Sequence, residues 1–163
     1  MIDVIILYIL NRYDSSIYRI KKIADEFFFA YTKTSIGTIN PALKRLHNSG
    51  CVEFRETMSD GGMKTKTYSI TPTGKKHLVT LLLAFDSKNP YKILNDIKIA
   101  LYCSDVLSIN ETLEFKENLR NYLDLYKIQL ERGLKNEYIT LNELQKNTVK
   151  ITLKEVEELI NTL

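Results

Sequence analysis

The feature that most constrains this chain is a change of hydrophobic period between residues 35 and 71. From Ser35 to Gly50 the apolar residues Ile36, Ile39, Leu43 and Leu46 recur at spacings of three and four, which places them on one stripe of a helix. Immediately afterwards Cys51-Val52-Glu53-Phe54-Arg55-Glu56-Thr57 alternates apolar with polar, and Lys66-Thr67-Tyr68-Ser69-Ile70 does so again, the period of half-buried strands. Between them Ser59-Asp60-Gly61-Gly62 supplies turn residues that tolerate positive φ. Gly50 stands where a left-handed C-cap would end the helix, and Thr71-Pro72 offers an N-cap and a first helical position for the next. Helix, hairpin and helix in that order predict a winged helix-turn-helix, with the hairpin tip as its wing.

Opposite the apolar stripe, at about 100° per residue, lie Gly37, Thr38, Pro41, Lys44, Arg45 and Asn48. This face is small and polar at its start and cationic further along. Such an order suits a helix whose N-terminus enters a major groove while lysine and arginine reach phosphates or guanine edges. With Lys33, Ser35 and Asn40 beside it, and Lys64 and Lys66 near the wing tip to lie along the backbone, this is the expected DNA-contacting set. The solvated face of an ordinary amphipathic helix, and a merely soluble Gly-Gly turn, fit the same residues. Pro41 lacks an N–H for its i−4 carbonyl, so a first turn that is irregular or 3₁₀ up to Thr38 is expected.

Ser35-x-Gly37-Thr38-Ile39-x-Pro41-Ala42-Leu43-Lys44-Arg45-Leu46, then Gly50, Gly61-Gly62, Lys66-x-Tyr68-x-Ile70-Thr71 and Gly74 resemble the PadR-like transcriptional regulators. The resemblance spans about 40 residues. It implies a DNA-binding regulator, more commonly a repressor, that works as a homodimer. In such proteins a tyrosine usually precedes the proline of the recognition helix, where this chain has Asn40. A Gly-Tyr pair usually opens the second helix, where Ser16-Ile17 stands, and wing arginines are replaced by Met63 and Thr65. Lysine offers a mobile point charge instead of a bidentate fork, so the wing is expected to add affinity more than base specificity. Some members sandwich flat drugs between paired tryptophans; this chain has no Trp, and that mode does not carry over.

Charge distribution agrees. The net charge is only +3, but residues 1–80 hold 12 Lys and Arg against 7 Asp and Glu, and residues 81–163 hold 11 against 13. The positive half is the one with the winged-helix pattern, as phosphate binding by counterion release requires. Cys51 and Cys103 are isolated and lie in no motif with histidines, so neither a disulfide framework nor a metal site is expected, and the compartment expected is cytoplasmic. The opening run Ile2 to Leu10 has no basic flank and is too short for a membrane span. A helix apolar all round must be buried on every side, so a second chain or the C-terminal region is expected to cover what the winged helix leaves open.

A coarse map follows: a second helix from Ser16 to about Ala30 capped by Asp14 or Ser15, with Ile17, Ile20, Ile23, Ala24, Phe27 and Phe28 as its stripe; a fourth from Pro72 to about Phe85; and a linker at Asp86-Ser87-Lys88-Asn89-Pro90. This divides the chain into a winged-helix DNA-binding domain at 1–86 and a helical dimerisation domain at 87–163. In the latter, residues 91–107 are helical, Ser108 to Glu111 caps a long helix that breaks near Gly133 and Asn136, and the last helix carries a heptad-like seam of Val149, Leu153, Val156, Ile160 and Leu163. Ile5, Tyr8, Ile9, Leu119, Tyr122, Tyr126, Val156, Ile160 and Leu163 are the expected dimer contacts, although intramolecular packing fits each stripe as well.

The fold class expected is thus mostly α with a small β-hairpin: an N-terminal winged helix-turn-helix and a C-terminal helical dimerisation domain. The function expected is sequence-specific binding of double-stranded DNA by a homodimer on a palindromic operator. Release by a small aromatic effector is raised by Tyr8, Tyr91, Tyr102, Tyr122 and Tyr126, with satisfied core tyrosines as the plainer alternative and no effector site assigned. An enzyme is disfavoured. His47 and His77 are expected to be surface residues, and neither an HExxH motif, a phosphate loop nor a nucleophile elbow is present. No cofactor is expected. A winged-helix module for protein contacts, without DNA binding, remains the alternative.

Overall fold

A computed structural model describes residues 1–58, 62, 64–85, 92–136 and 140–163. It divides into two compact units, Met1–Leu107 and Ser108–Leu163. The first unit is built around α1, Ile2–Arg12, in which seven consecutive residues from Val4 to Leu10 are buried. Five elements converge on that helix: α2 (Ile17–Phe27), α3 (Ile36–Asn48), β3 (Lys64–Ile70), α4 (Pro72–Leu83) and α5 (Ile93–Cys103). Each fully buried Ile or Leu contributes on the order of 1.5–3 kcal/mol, so a helix apolar all round is a sound centre for a small unit.

The covering expected for α1 comes from within the same unit. α5 buries Ile93, Ile97, Ile99, Ala100 and Cys103, and Tyr102 meets Tyr8 edge to face at 6.0 Å. Ile5, Tyr8 and Ile9, expected at a dimer contact, are 1%, 7% and 2% exposed in the single chain, because the chain's own helices occupy the space around them.

A short strand absent from the sequence reading, β1 at Ser15–Ser16, joins the hairpin as β1-β3-β2, with β2 at Val52–Met58. Ser15 faces Tyr68 and Ser16 faces Thr67; across the hairpin Val52 faces Ile70, Phe54 faces Tyr68 and Met58 faces Lys64. Two residues are too few for alternation to reveal them. Their pairing explains why α2 begins at Ile17 with Ser16 as its cap, accepting from the Arg19 N–H, while Ser15 is buried in the sheet. α2 stops at Phe27, short of Ala30. Its buried stripe is Ile20, Ala24 and then Phe28, whereas Phe27 is 52% exposed.

Helix ends follow the expected chemistry. After α3, Gly50 has φ +71°; its N–H donates to the His47 carbonyl and the Cys51 N–H to that of Leu46, which satisfies the last carbonyls. Thr71 caps α4 by accepting from the Gly74 N–H at 3.1 Å and donates to the Gly50 carbonyl at 2.6 Å. At Gly74 a Cβ would lie 2.0 Å from the Cys51 carbonyl oxygen, so only glycine lets α4 approach the start of the hairpin. Of the turn expected at residues 59–62, Gly62, with φ +75°, is described; the linker at 86–90 and Tyr91 lie outside the described residues.

The second unit pairs α6 (Ile109–Leu134) with α7 (Glu143–Thr162). Ser108 and Glu111 form the expected capping box, and Asn142 with Gln145 forms another. Phe115, Leu119, Leu123 and Val156 are buried, so Leu119 and Val156, expected at a dimer contact, are covered by the single chain. Tyr122, Tyr126, Ile160 and Leu163 are half-buried. Leu144 and Ile151, one heptad apart on α7, are 77% and 68% exposed.

Candidate nucleic-acid interface

α3 buries Ile39, Ala42, Leu43 and Leu46, leaving Ile36 half-buried. Everything expected to face DNA lies on the other side. Gly37, Thr38, Asn40, Pro41, Lys44, Arg45 and Asn48 are exposed, as are Lys33 and Ser35 just before the helix. Among the described residues, no element of the unit crosses that face. The helix is α from Ile36 with Pro41 in its interior, not irregular up to Thr38 as the proline suggested. Ser35 and Thr38 make a reciprocal capping box, and the Ser35 carbonyl accepts from both Thr38 and Ile39. This over-determined first turn carries the helix past Pro41, whose missing N–H leaves the exposed Gly37 carbonyl without its helical donor.

The entry to α3 is pinned from behind. Thr34, 5% exposed, donates from Oγ1 to Asp25 Oδ1 on α2 at 2.8 Å, and Lys21 pairs with the same carboxylate. These two donors hold the Asp25 carboxyl below its ordinary value. Neither residue stood out in the sequence, since a Thr before a cap and an Asp on an exposed face are common.

The cations differ in freedom. Lys33 and Lys44 have no anionic partner among the described residues. Arg45, on the flank of the face, donates from Nη2 to Asp3 Oδ1 on α1 at 2.8 Å, with the two side chains 59% and 29% exposed. On the hairpin, Lys64 Nζ stands 4.0 Å from Glu56, and Lys66 Nζ lies 3.8 Å from the centroid of the Phe54 ring. The structure thus brings Lys66 and Lys44 to one cleft of about 350 Å³ between α3 and the hairpin, lined also by Asn40, Asn48 and Tyr68.

His47 is exposed as expected, yet it does more than face water. Its Nδ1 lies 2.9 Å from the Val52 carbonyl oxygen and its ring 5.0 Å from that of Phe54, so it ties the end of α3 to the first strand of the wing. Histidine at this position carries no sequence signal of that role; only the register of β2 reveals it.

Three helices with a helix-turn-helix formed by α2 and α3, followed by an antiparallel hairpin against α1, define a winged helix. The chain belongs to the PadR-like family of transcriptional regulators. The family model matches residues 6–80. A PadR family transcription regulator from Clostridium difficile is 32% identical over 47% of this chain and 78% of its own, with a TM-score of 0.42. A PadR-like regulator from Bacillus cereus is 29% identical over 47% of this chain and 72% of its own, with a TM-score of 0.41. PadR of Bacillus subtilis, solved in complex with operator DNA, is 18% identical, covers 99% of this chain and 97% of its own, and has a TM-score of 0.49. No curated protein matches the chain.

Proposed function

We propose that the chain is a cytoplasmic, sequence-specific DNA-binding repressor that acts as a homodimer on a palindromic operator and is not an enzyme. The observation that carries this is the outward face of α3. It is open along its whole length, small at the start and cationic beyond, and shares a cleft with a wing lysine. Gly37 strengthens the reading. A Cβ there would meet only Ser35 Oγ, at 3.6 Å, so the chain's own packing does not require glycine. Glycine inside a helix costs about 1 kcal/mol against alanine. A duplex closing on the helix start gives that cost a purpose.

In the bound complex Gly37, Thr38, Asn40 and Pro41 meet base edges, while Ser35, Lys33, Lys44, Lys64 and Lys66 hold phosphates; Arg45 and Asn48 reach bases or backbone from the far end. A duplex presents successive major grooves about 34 Å apart, so two copies must be held at that pitch. The division of labour is that residues 1–86 bind DNA and residues 87–163 hold the dimer, with α5 packed on α1 and the contact itself carried by α6 and α7. Support for dimerisation comes from the second unit, whose two helices leave Leu125, Leu144 and Ile151 in water. With Ile5, Tyr8, Ile9, Leu119 and Val156 spent on internal packing, the contact draws on Tyr122, Tyr126, Ile160 and Leu163 together with these exposed residues.

Selection of bound fragments from random duplexes, followed by salt-titrated anisotropy on the winner, tests the reading. A palindromic consensus bound with a steep inverse salt dependence is expected. Failure to enrich any sequence, with no duplex bound in dilute buffer, would favour a winged helix used for protein contacts.

A further inference from the structure

In the cleft between α3 and the hairpin, Asn40, Lys44 and His47 succeed one another at spacings of four and three and so make one rim. Phe54, Lys66 and Tyr68 make the other. The His47 Nδ1 stands 2.9 Å from the Val52 carbonyl oxygen, and a carbonyl only accepts, so Nδ1 carries the ring's proton. Neutral His47 is thereby fixed in the tautomer that has a bare lone pair at Nε2. That nitrogen has no partner among the described residues, and since the two ring nitrogens diverge it points away from the Val52 carbonyl. The titratable groups facing the ring are Lys44 on α3 and Lys66 and Tyr68 on β3. Glu56 shares the face of β2 that carries Phe54 but lies nearer the tip, opposite Lys66 and 4.0 Å from Lys64, while Glu53 and Arg55 alternate to the other face. Asp3 of α1 is held by Arg45 on the far flank of α3, and Asp25 of α2 by Lys21 and Thr34 before the helix begins. Among the described residues, then, the cleft is lined by cations and neutral groups alone.

We propose that His47 is a phosphate ligand, a role that rests on the DNA-binding reading above. Its Nε2–H, present only in the protonated ring, donates to the backbone phosphate that Lys44 and Lys66 draw into this cleft, so each subunit takes up a proton as it binds the duplex. A phosphate oxygen meeting the neutral ring would face the Nε2 lone pair, two acceptors with no proton between them. Protonation turns that contact into a charge-assisted hydrogen bond. The two lysines oppose a third positive charge before the duplex arrives, and the phosphate offsets that opposition, so binding and proton uptake favour each other. Phe54, whose ring centroid lies 5.0 Å from that of the imidazole and 3.8 Å from Lys66 Nζ, gives both cations an aromatic neighbour. Because Nδ1 stays on Val52, one ring both holds the wing to α3 and meets the phosphate. Histidine is the side chain whose ordinary range puts this change of charge between about pH 5 and pH 8.

Fluorescence anisotropy of the full chain on its selected duplex, at fixed salt from about pH 8 to about pH 6, tests this. An imidazole of ordinary value about 6.5 that a phosphate raises by about one pH unit strengthens binding by about sixfold per subunit over that range. Affinity should therefore rise as pH falls. His47→Gln, which keeps a donor for the Val52 carbonyl, should flatten the profile and bind about sixfold more weakly than wild type at the acid end, with thermal melts checking its fold. His77→Gln, which changes the only other histidine, should keep the whole profile. In the unaltered chain, the ring signals of His47 followed by NMR should titrate at higher pH with the duplex than without it. Affinity independent of pH, a loss in His47→Gln that is equal at both ends of the range, or a His47 titration unmoved or lowered by the duplex would overturn the role and leave the DNA-binding reading standing. No duplex bound at any pH would overturn both.

Discussion

Asp3 holds the only arginine of the DNA-facing helix, which sets up a competition that Asp3→Asn should expose. Arg45 donates one N–H to Asp3 Oδ1 at 2.8 Å, and with 59% of its side chain exposed the pair sits largely in water. Exposed pairs of this kind are worth about 0.2–1 kcal/mol. If Arg45 must leave Asp3 to reach the duplex, that energy is charged against binding, and removing it should tighten DNA affinity by about 1.4- to 5-fold. Loss of a negative charge near phosphates adds in the same direction. Arg45→Ala should cost about 1–3 kcal/mol if Arg45 reads a guanine, and an equal loss on all sequences would make it a phosphate contact. The decisive assay is a double-mutant cycle by fluorescence anisotropy at fixed salt, with Asp3→Asn measured in the wild-type and Arg45→Ala backgrounds. Its gain should shrink in the second. A weakening by Asp3→Asn that vanishes in the Arg45→Ala background would refute the competition and show that Asp3 holds Arg45 in its reading position.

Replacing Lys64 and Lys66 together with alanine should flatten the plot of log affinity against log salt by up to about 1.8, at about 0.9 per phosphate contact, and an unchanged slope would remove the wing from the interface. Gly74→Ala should destabilise the chain by on the order of 1–3 kcal/mol or more in urea titration, because the new methyl meets backbone at 2.0 Å; wild-type stability would mean α4 does not sit so close. Truncation after Leu107 should leave a folded monomer that binds DNA weakly, and sedimentation as a dimer would contradict the role given to α6 and α7. The Asp25 carboxyl is depressed by Lys21 and Thr34, so its contribution is present above the unfolded value near about 3.9 and is lost as pH falls through the lower folded value. Asp25→Asn should therefore lose less stability than wild type between about pH 5 and pH 2, as melting temperatures would record.

The elements legible in the sequence were those with several turns or pairs to average over. The stripe from Ile36 to Leu46, the alternation from Cys51 to Thr57 and the caps at Gly50, Thr71 and Ser108 each declare their geometry locally. What escaped was decided by partners distant in sequence. Ser15–Ser16 becomes a strand only because β3 offers it an edge, His47 becomes a tie only through Val52, and Arg45 is engaged only because Asp3 begins the helix beside it. At Pro41 the helix runs on despite one missing hydrogen bond, its first turn held by the reciprocal capping box of Ser35 and Thr38. The apolar first helix correctly announced full burial, but periodicity does not say which chain covers it, and α5 does so from within the unit.

The central claim is that the open face of α3 meets a duplex. Amide chemical shifts of the isotope-labelled chain, followed as the selected duplex is added, test it most directly. The account predicts that the largest changes fall on Gly37, Thr38, Asn40, Lys44, Arg45 and Asn48, with a second group on Lys64 and Lys66. Changes gathered on another surface, with those amides unmoved, would contradict it.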